Sequence, residues 1–159
     1  MAQQTDSQLL STLKDLLHID LDAIALYDAV LKTLRSPQIE QSLMEFRSDH
    51  LRHVRELNDC IEALGGKREQ PRGSVESCER HGFTPIRSQM SIEELITATV
   101  DGEQITNRAY ERALKENWDA RTRALLDRNF ADEQRHLLWV LTASRSRLWE
   151  QEAAPPSGP

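Results

Sequence analysis

Two halves of this 159-residue sequence repeat one pattern of polar residues at an offset of 83 positions. Each half has an acid, a tyrosine seven residues after it, and an Asp-x-x-x-His segment that begins 29 residues after it. The first half contributes Asp20, Tyr27, Asp49 and His53, and the second Glu103, Tyr110, Asp132 and His136. Apolar residues lie before and after these polar residues at alternating spacings of three and four, which is typical of one face of an amphipathic helix. The repeat therefore predicts two similar helical hairpins.

The composition favours an all-α protein and argues against nucleic-acid binding and membrane insertion. Aromatic residues make up only 5% of the chain and charged residues 29%, and Leu, Ala, Glu and Arg, all good helix formers, dominate. A net charge of −6 without a basic arm disfavours nucleic-acid binding. No apolar run approaches the ~20 residues of a membrane span, and no secretory segment opens the chain. We therefore expect a cytoplasmic protein that does not enter a membrane.

The two cysteines are predicted to be free thiols, with Cys60 on a helix and Cys78 in a loop. Cys78-x-x-His81 has the spacing of half a zinc site. Cys60 is the one further soft ligand in the chain, whereas a structural zinc site needs four ligands. Free thiols are the simpler interpretation.

Four helices are predicted, at about 6–35, 37–64, 91–117 and 119–148, in one bundle domain spanning 5–148. Capping residues mark the helix starts, breakers mark the ends, and the proline-rich segment 149–159 is predicted to be a disordered tail. These signals are Thr5-x-x-Gln8, Ser36-Pro37, Gly65-Gly66, Ser91-x-x-Glu94 and Asp119. The segment 65–90 lacks periodicity, and ~26 extended residues outreach a helix of ~40 Å. It is therefore predicted to cross the full length of an antiparallel four-helix bundle.

Acids and histidines occupy positions on the predicted interior face of each helix. Burying such groups without partners is costly, and a metal ion would compensate both residue types. In an antiparallel hairpin, residues equidistant from the turn lie at the same height. This rule pairs Asp20 with the His50 and His53 pair, and Glu103 with the Glu133 and His136 pair. With the two turns at opposite ends of the bundle, these six candidate ligands converge near its middle. Oxygen and imidazole ligands suit iron, manganese or zinc.

These residues resemble the metal-binding pattern of the ferritin-like superfamily, which contains rubrerythrins, bacterioferritins and diiron-carboxylate oxidases. The resemblance covers the four helices, and the pattern is one carboxylate on each of two helices and Glu-x-x-His on each of the other two. Asp20, Glu103 and the Glu133-x-x-His136 pair match this pattern. The resemblance implies two iron ions and ferroxidase-type or peroxide-reducing chemistry with dioxygen or hydrogen peroxide. Such chemistry is linked to oxidative stress.

The resemblance also implies roles around the ligands. Asp49 and Asp132 would accept a hydrogen bond from the ligand histidine of the opposite half, with Arg52 and Arg135 steadying these acids. Tyr27 and Tyr110 would be either core tyrosines or hydrogen-bonding groups near the metals.

The chain departs from the family pattern at two points. His50 stands where the family has a metal-bridging glutamate, which favours one strong and one weak metal position. The Cys-x-x-Cys motifs of a rubredoxin module are missing from this sequence.

Two other functions remain open from the sequence. The polar residues could form a mutually hydrogen-bonded layer that fixes helix register in a non-enzymatic, stress-associated bundle. An oxygenase acting on an organic substrate would need an apolar pocket beside the metals. Self-association as a homodimer is a further prediction.

Overall fold

The computed structural model describes residues 5–70, 75–152 and 158, without the side chains of residues 75–77 and 152. Within these residues the chain is helical and has no strands, which confirms the all-α fold class. The helices are α1 (Asp6–Thr33), α2 (Pro37–Ala63), α3 (Val75–His81), α4 (Ile92–Ala113), α5 (Ala120–Arg145) and α6 (Leu148–Glu152). The long helices α1, α2, α4 and α5 form the bundle. Helix α1 packs against α2 and α4, α4 packs against α5, and α2 and α5 make a smaller contact.

The predicted capping residues begin three of the long helices. Thr5 forms a capping box with Gln8 at α1, and Ser91 forms one with Glu94 at α4. The Asp119 side chain accepts hydrogen bonds from two backbone N–H groups in the first turn of α5. Each cap satisfies donors that the first helical turn leaves without an internal partner. The breaks between helices are therefore set by local sequence.

Glycine ends α2. Gly65 adopts a left-handed conformation with φ of +80°, and the Gly66 N–H donates to the Ile61 carbonyl at 2.9 Å. This is the geometry of a glycine-terminated helix, which satisfies carbonyls of the last turn.

The connection between α2 and α4 contains a helix that the sequence did not predict. Helix α3 packs against α1, and Cys78 lies on this helix rather than in a loop. Phe83, just after α3, is buried against Gly102 of α4. A Cβ atom at Gly102 would clash with Leu26 Cδ2, so this glycine permits close approach of α1, α4 and the connection. Residues 71–74 of the predicted crossover lie outside the described residues.

The predicted tail begins with a helix instead of disorder. Helix α6 covers Leu148–Glu152, after a left-handed Arg147 with φ of +48°. The Trp149 ring lies under the Arg147 guanidinium at 5.0 Å, which gives this short helix a packing partner. Residues 153–157 and 159 of the predicted tail lie outside the described residues. No helix in the described part of the chain is long and apolar enough to cross a membrane.

Candidate metal centre

The six candidate ligands all lie in one layer at mid-height of the bundle. Each is at most 2% exposed, in an interior otherwise built mainly from Leu, Ile, Val and Ala. They form two groups of four whose ligand atoms lie within 4.8 Å of one another. We call Asp20, His50, His53 and Glu133 the first cluster, and His50, Glu103, Glu133 and His136 the second cluster.

His50 and Glu133 belong to both clusters, a sharing that the sequence analysis, which paired ligands within each hairpin, did not predict. The His50 ring faces both sides, with Nδ1 at 2.7 Å from Asp20 Oδ1 and Nε2 at 3.5 Å from Glu103 Oε1. Glu133 Oε1 lies 3.2 Å from His53 Nδ1 and 3.4 Å from His50 Nδ1. Each cluster therefore draws ligands from both hairpins.

Five potential metal-ligand atoms of the clusters are buried and have no hydrogen-bond partner among the described residues. They are His53 Nδ1, His136 Nδ1, Glu103 Oε2, Glu133 Oε1 and Glu133 Oε2, and the 3.2 Å approach of His53 Nδ1 to Glu133 Oε1 is an ion-pair contact only. Buried polar atoms in native proteins are almost always satisfied, and leaving one unsatisfied costs ~1–3 kcal/mol. Because these atoms are the ones that would bind cations, a carboxylate- and imidazole-ligated metal pair fits the residues present.

His53 and His136 each belong to one cluster only, and the Nε2 atom of each ring, which points away from that cluster, faces an acid on the opposite long helix. His53 Nε2 lies 3.1 Å from Asp132 Oδ2, and His136 Nε2 lies 2.8 Å from Asp49 Oδ2. If these nitrogens carry the protons, each Nδ1 is left to face its cluster. The same two contacts show that α2 and α5 run antiparallel.

Two arginines complete this outer layer. Arg52 Nη2 donates to Asp132 at 2.5 Å, and Arg135 Nη2 donates to Asp49 at 2.6 Å. Burial acts to raise the pKa of Asp49 and Asp132, but the histidines and arginines outweigh it and lower the pKa well below its usual value. Both acids therefore stay ionised at neutral pH.

Each of the two core tyrosines donates a hydrogen bond to the carboxylate contributed by the other half of the sequence repeat. The Tyr110 hydroxyl donates to Asp20 Oδ2 at 2.6 Å, and the Tyr27 hydroxyl donates to Glu103 Oε1. Burial, together with the charge of these acids, raises the pKa of both phenols well above 10, so they remain donors. The tyrosines are hydrogen-bonding groups at the clusters, one of the two alternatives for them.

The cluster residues have shifted pKa values in opposite directions. Burial acts to raise the pKa of Asp20 and Glu103, yet the facing histidines lower both. Burial raises the pKa of Glu133, opposed by His50. Burial acts to lower the pKa of His50 and His53, but the acids raise both, His53 to about 10. Without a cation, the layer holds protons on His50 and His53 to balance its carboxylates.

Three residues that sequence reasoning did not assign to the site also contact it or lie beside it. The Phe46 ring stacks on His136, and the Asn107 amide donates to the backbone carbonyls of Glu103 and Glu133. Asn129 is buried on α5 one turn before Glu133. All three positions show only ordinary helical periodicity in the sequence, so nothing there distinguished them from packing residues.

The Cys78-x-x-His81 pair meets a buried acid on α1. His81 Nδ1 pairs with Asp22 Oδ2, and the Cys78 thiol donates to Asp22 Oδ1 at 3.5 Å. Burial and the Asp22 charge raise the pKa of Cys78 to about 11, which keeps the thiol protonated. Cys78 and Cys60 are both free thiols. These contacts attach α3 to α1.

The fold and the layer of acids and histidines define a ferritin-like four-helix bundle. The chain belongs to the family described as "Domain of unknown function (DUF2383)", whose model matches residues 8–116. The matched range covers α1 from residue 8 onwards, together with α2, α3 and α4, but it ends before α5, which carries Glu133 and His136. Among curated proteins, the uncharacterized protein YhjR of Bacillus subtilis (strain 168) is 26% identical over 136 residues, covering 86% of either chain.

Solved structures of ferritin-like proteins share this fold. A bacterioferritin from Desulfovibrio desulfuricans, described with a diiron site, superimposes with a TM-score of 0.74 and 20% identity, over 88% of this chain and 80% of its own. A Mycobacterium smegmatis Dps1 variant superimposes with a TM-score of 0.73 and 12% identity, over 91% of this chain and 99% of its own. A ferritin-like diiron-carboxylate protein from Bacillus anthracis superimposes with a TM-score of 0.68 and 19% identity, over 89% of this chain and 99% of its own.

Proposed function

We propose that this chain is a nonhaem iron-binding protein with a dinuclear centre that carries out ferroxidase-type or peroxide-reducing chemistry on Fe(II). The single observation that carries the proposal is the group of five buried donor atoms without hydrogen-bond partners in one mid-bundle layer. The descriptions of the D. desulfuricans and B. anthracis proteins as diiron proteins of the same fold support iron over manganese or zinc.

In this proposal each cluster holds one ion. Asp20 and His53 would bind one ion, Glu103 and His136 the other, and Glu133 and His50 lie between them. Three carboxylates against two divalent ions leave a net charge of +1. The His50 imidazole, which replaces a bridging carboxylate of the family pattern, therefore makes the two ions less tightly coupled. We expect the two sites to differ in affinity.

The surrounding residues orient the ligands. Asp132 and Asp49 fix the tautomers of His53 and His136. When bound, iron would supply the redox chemistry: the two electrons of two Fe(II) ions and two protons would reduce one hydrogen peroxide to two waters, or one dioxygen to hydrogen peroxide.

The proposal is tested by adding Fe(II) to the metal-free protein under anaerobic conditions and then adding dioxygen or hydrogen peroxide in separate experiments. We expect Fe(II) oxidation, followed by absorbance, to be faster than in buffer with at least one oxidant. The faster of the two identifies the oxidant class. Oxidation at the buffer rate with both would contradict the proposed chemistry.

Replacing Asp132 with Asn is expected to weaken the first-cluster ion by about 10–100-fold, the usual effect of losing an outer partner of a ligand histidine. Asp49→Asn is expected to weaken the other ion to a similar extent. The affinities are measured by competition titration with Zn(II), with the exposed Asp127→Asn as the matched control. If both variants weakened the same ion, the assignment of one histidine to each cluster would be wrong.

Metal affinity is expected to rise with pH. The raised pKa values of His50 and His53 mean that a cation must displace their protons, so the gain is about tenfold per pH unit for each proton displaced. Zn(II) titrations at about pH 6, 7 and 8 measure this slope, and a pH indicator in weakly buffered solution counts the released protons. An affinity independent of pH, with no protons released, would contradict these protonation states.

The second candidate is a non-enzymatic bundle whose polar layer fixes helix register. The hydrogen bonds of His50 and Tyr110 to Asp20 favour it, because they satisfy this acid without a cation. The unpartnered atoms of Glu133 favour the metal proposal over it. Cytoplasmic location and homodimer formation remain predictions from the sequence.

A further inference from the structure

The internal repeat allows the two sides of the metal centre to be compared residue by residue. His53 and His136 correspond at the offset of 83 positions. At the same offset, Asn129 corresponds to Phe46, and Glu56 corresponds to Trp139. The two sides therefore have similar ligands but different neighbours.

The His136 side is covered by aromatic rings. Phe46 is 3% exposed and stacks on the His136 ring with a centroid distance of 4.3 Å. Trp139 meets the Phe46 ring edge-on at 5.6 Å. These rings offer no oxygen ligand to a cation, so this side is closed by apolar packing.

The His53 side has polar groups in the corresponding positions. Asn129 is fully buried; its side chain hydrogen-bonds to the Tyr110 hydroxyl, and its amide oxygen has no hydrogen-bond partner in the described part of the chain. Glu56 Oε2 is shielded from solvent and has ion-pair contacts only, at 3.1 Å from Arg128 Nη2 and 3.7 Å from Arg52 Nη1. A buried amide oxygen without a partner is costly in a packed interior unless it binds a ligand.

A groove of about 630 Å³ between α2 and α5 is lined by Glu56 and Arg128; Asn129, the residue after Arg128, is fully buried and is not part of the lining. Of its lining residues, Glu56 on α2 and Arg128 on α5 are the nearest in sequence to His53 and Glu133. Glu56 lies one turn beyond His53, and Asn129 lies one turn before Glu133. Asp59, Asp119 and Arg121 also line the groove, so its lining has three acids against two arginines, of which Arg128 is 55% exposed.

We propose that divalent cations enter the metal centre through this groove, by way of Glu56 and Asn129, while Phe46 and Trp139 close the opposite side. The inference rests on the proposed metal binding. A carboxylate oxygen and an amide oxygen would replace the water shell of the cation in steps before Glu133 receives it. Arg128 neutralises Glu56 between loading events and, being largely exposed, swings into solvent when a cation takes its place.

The proposal is tested by the rate at which the metal-free protein takes up Co(II), followed by stopped-flow absorbance of the protein-bound ion. We expect Glu56→Gln and Asn129→Leu to slow uptake about tenfold, equivalent to a barrier higher by ~1.4 kcal/mol, with the final stoichiometry unchanged. Arg128→Gln is expected to accelerate uptake, because it removes the cation that competes for Glu56. Glu45→Gln, an exposed acid on the same helix, is the matched control and should load at the wild-type rate.

Uptake by Glu56→Gln and Asn129→Leu at the wild-type rate would overturn the entry route. Loss of a bound ion at equilibrium in either variant would also overturn it, since that residue would then be a ligand. Glu56→Gln changes a partly exposed side chain, so it keeps the test decisive if Asn129→Leu fails to fold. Failure of the proposed function gives a different result, because the wild-type protein would then take up no Co(II).

Discussion

Replacing Glu133 with Gln is expected to weaken binding of both metal ions by more than about a hundredfold. Losing a residue that only hydrogen-bonds to a ligand lowers metal affinity ~10–100-fold. Glu133 would be a direct ligand in both clusters, so its loss should lower metal affinity further. The amide keeps the size of the side chain but lacks the charge that balances two cations. Metal content after dialysis against micromolar Fe(II), under anaerobic conditions, measures the loss.

Variants of residues that belong to one cluster provide the comparison. Asp20→Asn and Glu103→Gln are each expected to lose one ion and retain the other, since each residue belongs to a single cluster. Glu111→Gln, an exposed acid of α4, should retain both. If Glu133→Gln kept one ion at wild-type affinity, Glu133 would not be shared between the clusters.

Saturating metal is expected to raise the melting temperature of the wild-type protein by on the order of 10 °C. An ion present at a thousandfold excess over its dissociation constant adds ~4 kcal/mol to the free energy of unfolding. Each 1 kcal/mol raises the melting temperature of a domain of this size by ~2–4 °C. Scanning calorimetry with and without Zn(II) measures the difference.

The Glu133→Leu, His136→Leu double variant separates the two candidate functions. We expect that added metal does not raise the melting temperature of this variant. Its metal-free form should be as stable as the wild type or more stable, because apolar groups replace a partly satisfied polar layer. If the polar layer has no metal role, the variant should have the same stability, but added metal should not raise the melting temperature of the wild type either. An equal gain in both proteins would place the metal elsewhere.

The bundle could be predicted from sequence because its signals are local. The capping boxes at Thr5 and Ser91 and the glycine end of α2 act within a few residues, and the alternating apolar positions identify the buried faces. Positions equidistant from a turn also gave the common height of the six candidate ligands. Helix α3 was missed because seven residues are too few to show a period, and its contact with Asp22 is distant in sequence.

The sharing of ligands between clusters could not be predicted in the same way. Turn positions fix the height of a residue within its own hairpin but not how the two hairpins face each other. For that reason, the contacts of Glu133 with His50 and His53, which cross between hairpins, appear only in the structure. The surroundings of His53 and His136 differ because one side has Asn129 where the other has Phe46. In the sequence, both residues occupy positions that look like ordinary core positions.

Counting bound iron tests most directly whether the buried acids and histidines bind two cations. Metal-free protein is titrated with Fe(II) under anaerobic conditions, and iron and protein are quantified after removal of unbound metal. We predict two ions per chain, with the second bound more weakly than the first. A protein that retains no iron, manganese or zinc at micromolar concentrations would contradict the account.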